Sequence, residues 1–425
     1  MNRFRHGVII RLMLPVILLI AGYYIIKIDY NKYFYSGNKD LDSPIPGFTP
    51  QDEAKRLAQN KEIEQKILNN KLKEACEKGD LAQVARLLDE GATINFKPFH
   101  EERNAIPIIL ASANGHLEIV KYLILKGADI DARGNNGITA LMAAIGSSHF
   151  DIAKFLLDHG ADATAVDNDS ETTLHKFRGE RSVELIILLI KKGADPNAPD
   201  FFMNRTPLHL AASDNQVQAI DTLLSYGSTI ESRDKNGCTP LHYAAEGNAV
   251  ASVDMLIDRG AVLDAKDEEG ATPLHYAAYR GNVEAMMRLI ARGAGINLRT
   301  IKNSSPLHYS AERGTTKAVE LLIMKGANLD IKNSASATPL HIAAHYGYTD
   351  IVKLLVAKGA QINSKENHGY TVLDVAEMSP SPKKEIINLL IKNGAIHGRK
   401  HHAGPSVMTR FSPLEETGWD RVKCG

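Results

Sequence analysis

Residues 272–281 read Thr272-Pro273-Leu274-His275-Tyr276-Ala277-Ala278-Tyr279-Arg280-Gly281. Thr followed by Pro opens a helix: the hydroxyl caps free N–H groups, and Pro has the backbone angle of the first helical turn. The pair Ala277-Ala278 lets a short helix lie close to its neighbours. Arg280-Gly281 breaks it. Thr-Pro-Leu-His returns at 206–209, 239–242 and 338–341, and Ser-Pro-Leu-His at 305–308. Degenerate copies are Thr139-Ala140-Leu141-Met142, Thr172-Thr173-Leu174-His175 and Thr371-Val372-Leu373-Asp374.

With Ile106 as the first copy, the starts fall at 106, 139, 172, 206, 239, 272, 305, 338 and 371. Every step is 33 residues except one of 34. Gly-Ala or Gly-Ser keeps phase at 127, 160, 193, 227, 260, 293, 326, 359 and 394, and Gly91-Ala92 precedes them. Between the two motifs lies a second helix with apolar residues at helical spacing, such as Ile119, Val120, Leu123 and Ile124. Gly ends it, and a polar stretch such as Asp234-Lys235-Asn236-Gly237 turns to the next copy.

This grammar resembles the ankyrin repeat family over residues 71–398. The resemblance implies an all-α fold: antiparallel helix pairs with β-hairpin fingers, stacked into an ankyrin-repeat solenoid that has no single central core. Ten repeats are expected at 71–103, 104–136, 137–169, 170–203, 204–236, 237–269, 270–302, 303–335, 336–368 and 369–398. The first and last are atypical, as caps should be. The fourth departs internally. Phe177-Arg178 replaces the small pair, and Arg181 replaces the turn Gly. The extra residue of the 34-step follows near Phe201-Phe202-Met203, so a local distortion of the stack is expected.

Lys+Arg and Asp+Glu each number 50 in 425 residues, which argues against a protein living on phosphate contacts, and no nucleic-acid partner is expected. Hydrophobic content of 44% with 24% charged residues is globular composition. Cys76, Cys238 and Cys424 include no Cys-x-x-Cys, which excludes a disulfide framework and a Cys-based zinc cluster.

Residues 8–28, after a basic flank at 1–7, form an apolar stretch whose uncharged part runs from Leu12 to Ile26. Extended through Arg11 it approaches the roughly 20 residues that span a bilayer. We expect a single-pass transmembrane helix or uncleaved signal anchor rather than a cleaved signal peptide, because Tyr23-Tyr24-Ile25-Ile26 follows the only small pair. A slight excess of Arg on the N-terminal side favours repeats on the non-cytoplasmic side. Residues 29–70 read as a linker around Ser43-Pro44-Ile45-Pro46, then a charged helix from Thr49-Pro50. Residues 399–425 are expected to be a disordered tail.

His175, His209, His242, His275, His308 and His341 stand one per repeat, too far apart for a common metal, and in ankyrin repeats this His resembles a structural residue. No phosphate-binding Gly-Lys loop and no His-Glu-x-x-His occurs. Asp167-x-Asp169-x-Glu171 mimics half a calcium loop but has Thr172 where Gly is needed. His397, His401 and His402 read as an incidental polar tail. The expectation is a non-enzyme without cofactor or small-molecule substrate.

Such solenoids present a concave face of finger tips and first-helix ends, and binding energy concentrates in Tyr, Trp and Arg. The exposed first-helix positions supply Tyr279, Arg280, Arg313 and Tyr346 as partner-binding candidates. Tyr243, Tyr276 and Tyr309, one turn earlier, read as packing. Phe201, Phe202 and Met203 are the second candidate, as an apolar tip. The function expected is a membrane-anchored scaffold that binds an unidentified protein partner. An exported bacterial factor acting on host proteins, with the hydrophobic start as export signal, is the alternative.

Overall fold

The structure, a computed structural model, describes residues 50–96, 106–177 and 183–398. The apolar segment 8–28, the linker before Pro50, Arg178, Arg181, His401, His402 and Cys424 lie outside these residues. The chain divides into units of residues 1–64 and 65–425. In the first, the described backbone is helical from Pro50, and this helix continues unbroken to Lys78. The charged spacer helix and the opening helix of the first repeat are therefore one element. Leu57 and Ile63 are exposed on it, while Leu72 and Cys76 near its end are buried.

The second unit is a stack of helix pairs. First helices have six to eight residues, as in Pro107–Ala113, Pro240–Glu246, Pro273–Arg280, Pro306–Arg313, Pro339–His345 and Val372–Glu377. Second helices have nine, as in Leu117–Leu125, Val250–Asp258, Val283–Ala291 and Thr316–Met324. At seven helix starts a Thr or Ser hydroxyl accepts a backbone N–H, and the side chain three residues on accepts the N–H of the capping residue. This is the capping box with His, or Asp374, in the place usually held by Glu. Leu208, Leu241, Leu274, Leu307 and Leu340 are at most 1% exposed, so the Leu of each motif lies between layers. One continuous apolar core runs from Leu72 to Leu390.

The histidines do more than close their own turns. Each Nδ1 accepts a backbone N–H, which leaves Nε2 as the protonated nitrogen. Nε2 then donates to a carbonyl of the following repeat: His175 to Arg205 (2.9 Å), His209 to Cys238 (3.1 Å), His242 to Ala271 (3.1 Å), His275 to Ser304 (3.2 Å) and His308 to Ala337 (3.1 Å). Five inter-repeat links thus run through buried neutral rings.

The fingers are turns rather than β-hairpins. Among the described residues there is no strand, only the isolated bridges Val166 with Thr172 and Lys365 with Thr371. Most fingers are closed by two backbone bonds at the tip, for example Asp234 N–H to Cys238 O with Gly237 N–H to Asp234 O, too short a ladder for a strand. The tips instead bond to one another. Asn168 N donates to Asn136 O, Phe201 to Asp169, Lys235 to Met203, Glu268 to Asn236, Ile301 to Glu269, Ser334 to Lys302 and Asn367 to Ala335, at 2.7–3.0 Å.

The fourth repeat is distorted where expected. Its first helix shrinks to a 3₁₀ turn, Thr173–Lys176, after which Phe177 is extended. Phe177 is buried and stacks on Phe150 at 6.4 Å between centroids. A ring in place of a small residue cannot be fitted inside a close-packed short helix, so the helix ends before it. The second helix, Val183–Lys191, buries Leu185, Ile186 and Leu189 as its apolar run requires.

Candidate protein-binding face

First helices end in two residues after the small pair: Ser213 and Asp214, Glu246 and Gly247, Tyr279 and Arg280, Glu312 and Arg313, His345 and Tyr346. Beneath them lies a buried floor. Tyr243, Tyr276 and Tyr309 are at most 2% exposed, so the packing assignment holds. Tyr243 donates to Asp234 Oδ2 and Tyr276 to Asp267 Oδ2, both at 2.8 Å, and Cys238 Sγ lies 3.0 Å from the Tyr276 hydroxyl. Each tyrosine edge also meets the preceding histidine ring: His209 with Tyr243, His242 with Tyr276 and His275 with Tyr309, at 5.1–5.6 Å. Burial raises the Asp234 and Asp267 pKa values, an effect the tyrosine hydroxyls and backbone N–H groups only partly offset. The clamp joins finger to helix. Tyr276→Phe is expected to lower unfolding free energy by about 1–3 kcal/mol, because Asp267 loses its buried donor. Denaturant melts measure this, and no change would show the hydroxyl to be idle.

On this floor Tyr279 is half-buried, packed edge-on against Tyr309 at 6.2 Å. The Arg313 guanidinium lies over its ring, 4.8 Å from the centroid. Arg280 turns the other way, its Nε donating to Glu246 Oε1 of the preceding repeat at 3.0 Å. Tyr346 is half-buried, stacked with Tyr348 at 5.9 Å and edge-on to His345 at 5.0 Å. These four candidates stand at the ends of the first helices of repeats seven to nine, Tyr346 as the C-cap of its helix.

Phe201, Phe202 and Met203 lie elsewhere, on the finger between repeats four and five. Phe201 is 69% and Phe202 58% exposed, with their rings 5.5 Å apart. Phe201 donates its N–H to the tip before and the Met203 carbonyl accepts from the tip after, so Phe202 is the looped-out extra residue. The Phe201 and Phe202 rings are presented to solvent from a backbone fixed on both sides.

The remaining sequence candidates are accounted for by structure. Asp167 Oδ1 accepts the N–H groups of Asp169 and Glu171, and Oδ2 accepts from Lys176 at 2.6 Å, so this loop is closed on itself. His397 Nδ1 lies 2.8 Å from Asp374 Oδ1, which ties it to the capping box of helix Val372–Glu377. Among the described residues no cluster of His, Cys, Asp or Glu could hold a metal.

The stacked helix pairs, shared capping boxes and linked fingers define a repeat protein, and comparison gives its family. A family model described as "Ankyrin repeats (3 copies)" matches residues 72–167, 174–267, 262–333 and 307–401, and the chain belongs to the ankyrin repeat family. Palmitoyltransferase AKR1 of Eremothecium gossypii is 36% identical over 62 residues, 15% of this chain and 9% of that protein. The chain thus spans under a tenth of that relative's length.

Proposed function

We propose that this chain is a membrane-anchored ankyrin-repeat scaffold that holds a protein partner on the face of first-helix ends and finger tips. The observations that support it are the stack of Arg313 on Tyr279 and the stack of Tyr346 on Tyr348, at matching positions of consecutive repeats. Such residues dominate interfaces because they bury large area at low entropic cost. The anchor reading comes from residues 8–28, and no helix among the described residues is long and apolar enough to cross a membrane. Anchoring would raise the effective concentration of a partner at the membrane. The short similarity to a palmitoyltransferase does not carry that activity here.

Proximity labelling in cells, repeated with Tyr279→Ala plus Tyr346→Ala, tests the face: we expect specific partners to drop out. A list identical to that of the parent chain would refute it. Alkali extraction tests the anchor separately. The full chain should stay in the membrane pellet, and its release would remove residues 8–28 as a span. Protease protection of sealed membranes then tests the side on which the repeats lie.

A further inference from the structure

The residue eight places after the capping Thr or Ser reaches back onto the residue seven places after the cap of the repeat before. Arg280 meets Glu246, Arg313 meets Tyr279, and Ser379 Oγ donates to His345 O at 2.7 Å. The same geometry therefore has opposite electrostatic outcomes in adjacent repeats. Glu246 neutralises Arg280. Tyr279 offers Arg313 only a π face, which satisfies the plane of the guanidinium and none of its in-plane N–H donors.

Arg313 is exposed, and among the described residues no hydrogen bond or ion pair reaches its N–H groups. Glu312, its neighbour in sequence, is 7% exposed. The ring beneath is itself held against buried Tyr309. A long side chain normally loses rotamer freedom when it binds. Here the stack has already fixed the plane of the fork.

We infer that Arg313 is a pre-positioned receptor for a carboxylate presented by a protein partner, with Tyr279 as its platform. The planar fork matches a carboxylate with two parallel N–H···O bonds. Half-buried Tyr346 stands at the matching position of the next repeat and offers aromatic surface for an apolar residue of the same partner. The carboxylate belongs to an Asp or Glu side chain or to a chain terminus. This rests on the partner-binding face proposed above and adds the chemistry that the face selects.

The test is selection of displayed random peptides on the full chain in detergent. Peptide arrays then compare free and amidated C-termini, and Asp/Glu with phosphoserine. Selected peptides are expected to share one acidic position. Arg313→Lys and Tyr279→Leu should each weaken them about tenfold while Tyr279→Phe leaves them near parental affinity, since Lys keeps charge but loses the fork and Phe keeps the platform. Selection on Arg313→Glu should replace the acidic position by Lys or Arg. Loss on amidation would assign a terminal carboxylate, and tolerance of it a side chain; both support the inference. Peptides that bind without an acidic position, that ignore Arg313→Lys, or that require phosphoserine would overturn it while leaving the face intact. Absence of any selected peptide would overturn both. Arg313 is exposed, so unchanged melting of the variants is the control for folding.

Discussion

Acidification toward pH 5 is expected to unfold the repeat stack, well above the range in which carboxylates alone protonate. The cause is the histidine row. Burial pushes the pKa down to about 4 for His209, about 3 for His242 and His275, and about 4 for His308 and His341. For His209, His242, His275 and His308, donation from Nε2 to a carbonyl offsets this only in part. Burial also lowers the His175 pKa. A second proton would have to sit on Nδ1, which already accepts the N–H of the capping residue. Protonation therefore breaks a helix cap.

Above about pH 6.5 both states hold these rings neutral, and they add no pH dependence. Below it the unfolded chain takes up protons that the folded chain refuses, so stability falls as pH falls, until the folded values near 3–4 are passed. At pH 5 each ring costs about 2 kcal/mol, and five cost about 10 kcal/mol, comparable with the whole stability of an ordinary domain. Denaturant titrations at pH 7, 6, 5.5 and 5 should give a slope corresponding to several protons. His275→Gln, which retains an acceptor for the cap, should reduce that slope by about one proton. A flat profile between pH 6 and 5, or ring resonances titrating near 6.5 in the folded protein, would rule this out.

The second large effect is expected at Lys176. It stands nine residues after Asp167, as Tyr243 does after Asp234 and Tyr276 after Asp267. In the distorted fourth repeat an ammonium thus replaces the tyrosine hydroxyl as the donor to the finger carboxylate. It bonds Asp167 at 2.6 Å and also Glu171, and the Asp167 side chain is only 3% exposed. Burial would lower the Lys176 pKa, but bonds to the two carboxylates outweigh it and raise the value. The pair is therefore fully formed at neutral pH, and its contribution is lost only in alkali, above about pH 10.

Lys176→Ala is expected to cost about 3–5 kcal/mol, because Asp167 is left buried without its cation. Lys176→Tyr should recover most of this by restoring the donor used in repeats six and seven. Denaturant midpoints give the magnitudes, and amide exchange should localise the loss to repeats three to five. A loss below about 1 kcal/mol for Lys176→Ala would mean the carboxylate is solvated after all.

The period, the caps and the buried second helices were legible because they depend on neighbours a few residues apart. Thr272-Pro273 and the spacing of Leu185, Ile186 and Leu189 carry that information locally. Phe177 announced the broken helix of the fourth repeat for the same reason: its size is incompatible with the small-residue position. What could not be read joins residues about one period apart. The partners of His242 Nε2 and of Arg280 lie 29 and 34 residues away, and only the stacked geometry brings them together. Arg280 and Arg313 therefore looked equivalent in sequence, although Glu246 engages one and Tyr279 the other. The β-hairpin expectation came with the family resemblance. It failed because a tip closed within a single turn leaves its remaining groups to the adjacent tip.

The looped-out Phe202 shows where this architecture tolerates growth. An added residue inside either helix would rotate every later side chain by about 100° about the axis and unseat the core. At a finger tip it bulges outward. Phe201 and Met203 still engage the tips on either side, and Thr206 begins its helix with the usual cap. The tip acts as an expansion joint: it absorbs a change of length without passing a phase error down the row. Recognition surface can therefore be lengthened there one residue at a time, and the frame beneath keeps its register.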